Sequence, residues 1–140
     1  RTIKAGAMLI LGGKIPDGEG SYYPVTILTG VKPGMAAFDE EIFGPVFTVI
    51  SAEDDGHAIK LANQTEFGLG SAIFTQNIEK GEEIAKTKMQ SGACFVNDFV
   101  KSDPRLPFGG IKMSGYGREL SDYGMMEFVN IKTIVVKSTD

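Results

Sequence analysis

Short apolar runs alternate with helix-like segments in this chain, and that alternation most restricts what it can fold into. Residues 7–11 form an apolar run that Gly12-Gly13 stops, which predicts a strand. Residues 22–28 form a second run, but Pro24 lacks the N–H that a ladder needs. A strand there is expected at a sheet edge or in irregular form. The compact β-branched run 46–50 predicts a buried strand. Residues 54–63 read as a helix, with Asp54 and Asp55 at the positive end of its dipole and Ala58, Leu61 and Ala62 on one face. A short strand is predicted over 71–74, then a helix over 78–89 capped by Asn77. The acids of that helix come first (Glu79, Glu82, Glu83) and its bases last (Lys86, Lys88), with Gly92 expected to close it in a left-handed cap. An apolar strand over 93–96 leads into a polar, proline-bearing loop over 97–117. A last helix over 122–128, capped by Ser121, and a terminal strand over 134–136 with Thr133 complete the chain. Strands alternating with helices predict an α/β fold with a mainly parallel sheet covered on both faces.

Composition narrows the function classes. The 140 residues suffice for one modest domain. Fourteen bases against 18 acids give a net charge of −4, which disfavours nucleic acid or an anionic membrane as the main partner. No apolar run approaches the roughly 20 residues of a membrane span. No secretory signal is visible, and Arg1-Thr2-Ile3-Lys4 reads as mid-stream. One cysteine excludes an intramolecular disulfide and points to a reducing, cytoplasmic setting. Asn63-Gln64-Thr65 is a formal glycosylation sequon, read as chance without a secretory signal. The 18 glycines fall largely in pairs or short clusters, which mark tight turns and close backbone approaches. None forms a phosphate loop: Gly115-Tyr116-Gly117 has no third glycine three residues on. No metal site is expected.

Three stretches carry a family resemblance. They are Glu40-Glu41-Ile42-Phe43-Gly44-Pro45, then Pro107-Phe108-Gly109-Gly110-Ile111-Lys112-Met113-Ser114-Gly115-Tyr116-Gly117-Arg118-Glu119, then Glu127-Phe128 followed by Lys132-Thr133. In order and spacing they resemble the C-terminal end of the aldehyde dehydrogenase superfamily, from about Ala5 to the last residues. The resemblance implies a partial catalytic domain over 1–128 and an oligomerisation strand and tail over 129–140. It also implies an enzyme that binds NAD or NADP on an N-terminal Rossmann-like domain. In that chemistry a cysteine thiolate attacks the aldehyde, hydride passes to the nicotinamide and water releases the acid. Both the Rossmann-like domain and that cysteine are expected upstream of Glu40, so the isolated chain is expected to be inactive and to hold no catalytic residue.

The resemblance also assigns roles by position. Glu41 matches a glutamate that hydrogen-bonds the nicotinamide ribose, and Phe43 an aromatic near the nicotinamide end. Without the resemblance they read as a surface carboxylate and a core aromatic. Phe108 matches a wall of the substrate tunnel and also reads as an anchor of the Gly109-Gly110 turn. The loop 97–107 matches the tunnel mouth. There Lys101, Ser102 and Arg105 suit the grip of a substrate carboxylate, or form a solvated polar loop in which Asp103 cancels Arg105. Succinate-semialdehyde dehydrogenases have a serine near the position of Ser102, which makes succinic semialdehyde the expected substrate. Gly109, Gly110, Gly115 and Gly117 are expected to serve turns, and Lys112, Arg118 and Glu119 to hold their loop through ion pairs. Cys94, inside an apolar run, reads as a small core residue, and His57, inside a helix, as no general base.

Three functional readings arise from the sequence. The first is a segment of an NAD(P)-dependent aldehyde dehydrogenase, in a homo-oligomer acting on an aldehyde. The second is a stand-alone truncated paralogue that binds partners or assists oligomer assembly. The third, a small thiol enzyme built on Cys94, is disfavoured by the lack of an electropositive, exposed setting.

Overall fold

The computed structural model describes residues 1–139 and divides into two compact units, Arg1–Glu66 and Phe67–Asp140. In the first unit, a 3-10 turn over Ile3–Ala5 precedes β1 (Met8–Leu11), β2 (Thr26–Thr29), α1 (Ala36–Asp39), β3 (Val46–Val49) and α2 (Asp55–Gln64). The sheet order is β1-β2-β3, with β1 antiparallel and β3 parallel to the central β2. The strand expected at an edge or in irregular form is therefore central, and its ladder with β1 shifts register between Leu9 and Leu11. Pro24 explains the difference, because β2 starts beyond it and keeps every N–H its ladder requires. The Pro24 carbonyl instead accepts a hydrogen bond from Thr26 Oγ1 at 3.0 Å. The same hydroxyl oxygen accepts from the Gly13 N–H at 2.9 Å, so a buried threonine is fully partnered at the mouth of the sheet.

Ala7, Leu28 and Val31 form the buried core of this unit, with Met35, Ala37, Phe38, Val46 and Ile50 packed against them. β3, expected to be buried, alternates instead: Val46 and Thr48 are half-buried while Phe47 and Val49 are exposed. It is the outer strand of a three-stranded sheet, so only one of its faces meets the core. α2 begins one residue later than expected because Asp54 is its cap, accepting from the His57 N–H at 2.7 Å.

The second unit holds β4 (Phe67–Gly68), β5 (Gly70–Ile73), α3 (Ile78–Thr87), β6 (Ala93–Val96), β7 (Ile111–Lys112) and α4 (Ser121–Met126). β5 and β6 pair in parallel, β4 and β7 antiparallel. The chain thus combines three small sheets, one mixed, one antiparallel and one parallel, where a mainly parallel one was expected. Asn77 caps α3 as predicted, accepting from the Lys80 N–H at 3.0 Å. Buried Gly81 lets the helix lie on the strands; a Cβ there would stand 2.8 Å from Thr75 Cγ2 and 3.0 Å from Val96 Cγ1.

Three endings differ from expectation. α3 closes at Thr87, where Lys88 stays right-handed and donates to the Ile84 carbonyl, so Gly92 is not its left-handed cap. Gly92 serves space instead: a Cβ on it would lie 1.7 Å from the Gly109 carbonyl oxygen. α4 starts at Ser121 itself, entered through Leu120 and Ser121 at φ of 62° and 53°, so the expected cap residue lies inside the first turn, where its Oγ accepts from the Tyr123 N–H at 3.4 Å. Among the described residues no strand forms beyond Lys112, so residues 134–136 have no partner strand within the chain. Asp140, the end of the expected tail, lies outside the described residues. No helix among them is long and apolar enough to cross a membrane.

The close approach at Gly92 generates a stability prediction. Gly92→Ala forces a methyl onto a main-chain oxygen and is expected to lower unfolding free energy by about 1–3 kcal/mol. Gly44→Ala, where an added Cβ meets nothing within 4 Å, is expected to stay within about 0.5 kcal/mol of the parent. Urea denaturation of both variants checks the contrast.

Candidate functional site

The first cluster of predicted site residues is the segment from Glu40 to Pro45. Its start is fixed by α1, where the Glu40 N–H donates to the Ala36 carbonyl at 2.9 Å. The Arg1 guanidinium holds both oxygens of the Glu40 carboxylate, one of them at 2.9 Å. That hydrogen bonding and charge raise the Arg1 pKa further. The end of the segment is fixed by the sheet, where the Thr26 N–H donates to the Pro45 carbonyl at 2.9 Å. Between these anchors Glu41, Ile42 and Phe43 are exposed. Of the two adjacent acids, Glu40 is the one engaged by Arg1, and Glu41 stays open to solvent.

Phe43 is the unusual residue. Its φ is 53°, in the left-handed region that bulky residues avoid, and 92% of its surface is exposed. Such a backbone costs on the order of 1–3 kcal/mol and concentrates at functional sites. The fold thus holds a strained turn that presents an aromatic ring to solvent beside an exposed carboxylate. Glu41 and Ile42 also line a cavity of about 410 Å³ with Leu9, Tyr23 and Thr26.

The second cluster lies in the other unit. Phe108 is half-buried, and its N–H and carbonyl bond those of Glu119, both at 2.8 Å. This pair closes the glycine-rich motif into a ring. Inside it, Arg118 donates to the carbonyls of Gly110 at 2.9 Å and Gly117 at 2.6 Å. The expected ion-pair role of Arg118 is therefore corrected: a planar guanidinium here satisfies main-chain oxygens that the turns leave unpaired. The ring is tied outward by the Gly68 N–H, which donates to Ser114 Oγ at 3.0 Å. Gly115 and Gly117 adopt positive φ, as turn residues do.

Asn97 starts the loop ahead of Phe108, and sequence reasoning gave it no role. At φ of 55°, its side chain accepts from the Thr75 N–H at 2.8 Å and donates to the Thr75 carbonyl at 2.9 Å. It thereby continues the β5–β6 ladder by one side-chain rung. The available signal was asparagine's tolerance of the left-handed region just after an apolar strand. Further along, Lys101 pairs with Asp98 at 2.6 Å, and Arg105 with Asp103 at 2.6 Å. These partners hold both carboxyls below their ordinary range, Asp103 far below it. Ser102 is exposed between the two pairs.

The tunnel candidates do not share one hollow. Phe108 lines a cavity of about 400 Å³ with Leu69, Tyr116 and Phe128. Arg105 lines another, of about 610 Å³, with Pro104, Leu120 and Met125. Glu119 and Phe128 border both. Cys94 is half-buried in β6 opposite Ser71, a packing position. His57 Nδ1 accepts from the Glu53 N–H at 3.3 Å, so the imidazole completes the start of α2. Among the described residues no three His, Cys, Asp or Glu side chains gather as a metal site.

Comparison with known proteins gives these motifs a context. A succinate semialdehyde dehydrogenase [NAD(P)+] of Escherichia coli is 47% identical over 134 residues, covering 96% of this chain and 29% of the relative. A succinate-semialdehyde dehydrogenase [NADP(+)] of Mycobacterium leprae is 48% identical over 130 residues, covering 93% and 28%. Among solved structures, the succinic semialdehyde dehydrogenase of Streptococcus pyogenes in complex with NADP+ superposes with a TM-score of 0.91 at 39% identity. That superposition covers 98% of this chain and 30% of the other. The chain therefore spans under a third of the length of these relatives. The model of the aldehyde dehydrogenase family matches residues 1–134, and the chain belongs to that family.

Proposed function

We propose that this chain is the later catalytic-domain segment of an NAD(P)-dependent aldehyde dehydrogenase that oxidises succinic semialdehyde to the acid. The strained, solvent-presented Phe43 beside exposed Glu41 carries the reading. A carboxylate open to solvent fits a ribose, since it can accept from both hydroxyls of a cis-diol. An aromatic ring held away from its own core fits packing against the nicotinamide end. When bound, NAD or NADP accepts hydride from the substrate. The Glu41 carboxylate would fix the ribose, Phe43 would limit where the nicotinamide ring lies, and Phe108 would wall the aldehyde's path.

The relatives named as succinate-semialdehyde dehydrogenases support the substrate assignment. The loop Lys101–Ser102–Asp103–Pro104–Arg105 supports it less strongly, because both its cations are already paired with acids of the same segment. Ser102 is then the polar group most open to a distal carboxylate. The exposed apolar tail supports a homo-oligomer, with Ile134, Val135 and Val136 exposed at 74%, 86% and 87%. A strand over these residues would find its partner on another subunit. The same tail favours the second reading, a truncated paralogue serving assembly. A cytoplasmic location accords with both.

Three measurements test the proposal. The 140-residue chain alone is expected to form no NAD(P)H from succinic semialdehyde; turnover above a no-protein blank would overturn that. In the full-length enzyme, Glu41→Gln is expected to lower kcat/KM about tenfold or more while leaving the melting temperature near the parent's. Charge-assisted hydrogen bonds worth on the order of 1.5–3 kcal/mol set that scale. Unaltered single-turnover kinetics in the variant would remove Glu41 from the cofactor site. For the substrate, kcat/KM for succinic semialdehyde is expected to exceed that for butyraldehyde, a neutral aldehyde of equal chain length. Equal or better use of the neutral aldehyde would return the assignment to a general aldehyde dehydrogenase.

A further inference from the structure

The loop between Asn97 and Phe108 holds its own cations. Asp103 takes the Arg105 side chain in a fork: Nε donates to Oδ1 at 2.9 Å and a terminal nitrogen to Oδ2 at 2.6 Å. The Arg105 main-chain N–H adds a third bond to Oδ1 at 2.9 Å. Pro104, between the two residues, fixes one backbone dihedral and so helps hold their separation. The pair is lopsided in exposure, with 25% of the Asp103 side chain accessible against 85% of Arg105. The acid is the sheltered partner, and the guanidinium faces outward on the wall of the hollow it shares with Leu120 and Met125.

A guanidinium offers a limited set of donors in a rigid plane. Here the edge best suited to a carboxylate is already filled by a carboxylate. An incoming anion must either displace Asp103 or bind beside its charge. We propose that Asp103 is a specificity-determining residue that competes internally for Arg105 and so weakens selection of carboxylate-bearing aldehydes. The proposal rests on reading this loop as the tunnel mouth. Because Arg105 holds the Asp103 carboxyl far below its usual range, the competitor stays charged throughout neutral pH. Because exposed ion pairs are weak, Asp103 tunes the preference and does not abolish it.

The test is made in the full-length enzyme on one quantity, the ratio of kcat/KM for succinic semialdehyde to that for butyraldehyde. Asp103→Asn keeps an acceptor for the Arg105 N–H and removes the charge. It is expected to raise the ratio by about two- to fivefold, the scale of one exposed ion pair. Adding Arg105→Ala is expected to cancel that gain. Asp103→Ser, which also retains an acceptor, must move the ratio in the same direction. An unchanged or lower ratio overturns the proposal, as does a gain that survives loss of Arg105. A parent ratio below one would refute the substrate assignment separately, since the proposal is scored only on how the ratio changes.

Discussion

The hydrogen-bonded closure between Phe108 and Glu119 is the constraint on which the second unit depends. Once these residues exchange two main-chain bonds, the intervening segment is a ring, and its interior must be both narrow and polar. Narrowness explains the paired glycines: Gly109 passes under Gly92 and against Gly117 at distances no side chain permits. Polarity explains Arg118, whose guanidinium supplies donors for carbonyls that turn inward. The ring also orients the last helix. Buried Gly124 of α4 rests on the Glu119 main chain, so α4 takes its place from the closure.

The first unit solves a related problem with a different device. There a short segment must stay extended and exposed between a helix and a sheet, so its ends are fixed and its middle left open. Arg1 and α1 secure Glu40, while Thr26 secures Pro45. Buried hydroxyls recur in this unit as fasteners: Thr2 Oγ1 accepts from the Ala37 N–H at 2.9 Å, and Thr26 joins Pro24 to Gly13. Such bonds matter because a buried polar group left unmatched costs more than a matched one gains.

Much of this was legible in the residues, and the failures have physical causes. The Asn77 cap read well because it acts within three residues of itself, whereas Asp54, read as a dipole partner inside the helix, is a cap of the same local kind. Although the run 22–28 forms a strand only from Thr26 and the run 134–136 forms none among the described residues, the strands Met8–Leu11, Val46–Val49, Gly70–Ile73 and Ala93–Val96 read well because apolar runs of four have few alternatives. Strand neighbours did not: nothing local to Pro24 tells whether β2 lies outside or at the centre of a sheet. The same cause hides the role of Gly92. Its space is taken by Gly109, which is distant in sequence, while a helix cap is a local property. The motif pointed to Glu41, Phe43 and Phe108, and the loop offered Asp103 as a partner for Arg105, but the pairing of Lys101 with Asp98 required side-chain geometry. The parallel pairing within β2–β3 and β5–β6 matched the βα alternation; β7 escapes sequence reasoning because two residues inside a glycine-rich loop carry no periodicity.

The left-handed turn at Phe43 separates two properties that usually decline together. A glycine there would relieve the backbone and delete the ring in one step. The resulting protein would be the sturdier molecule, without the ring that the proposed cofactor contact requires. Selection for thermal endurance alone would therefore drive this position away from phenylalanine.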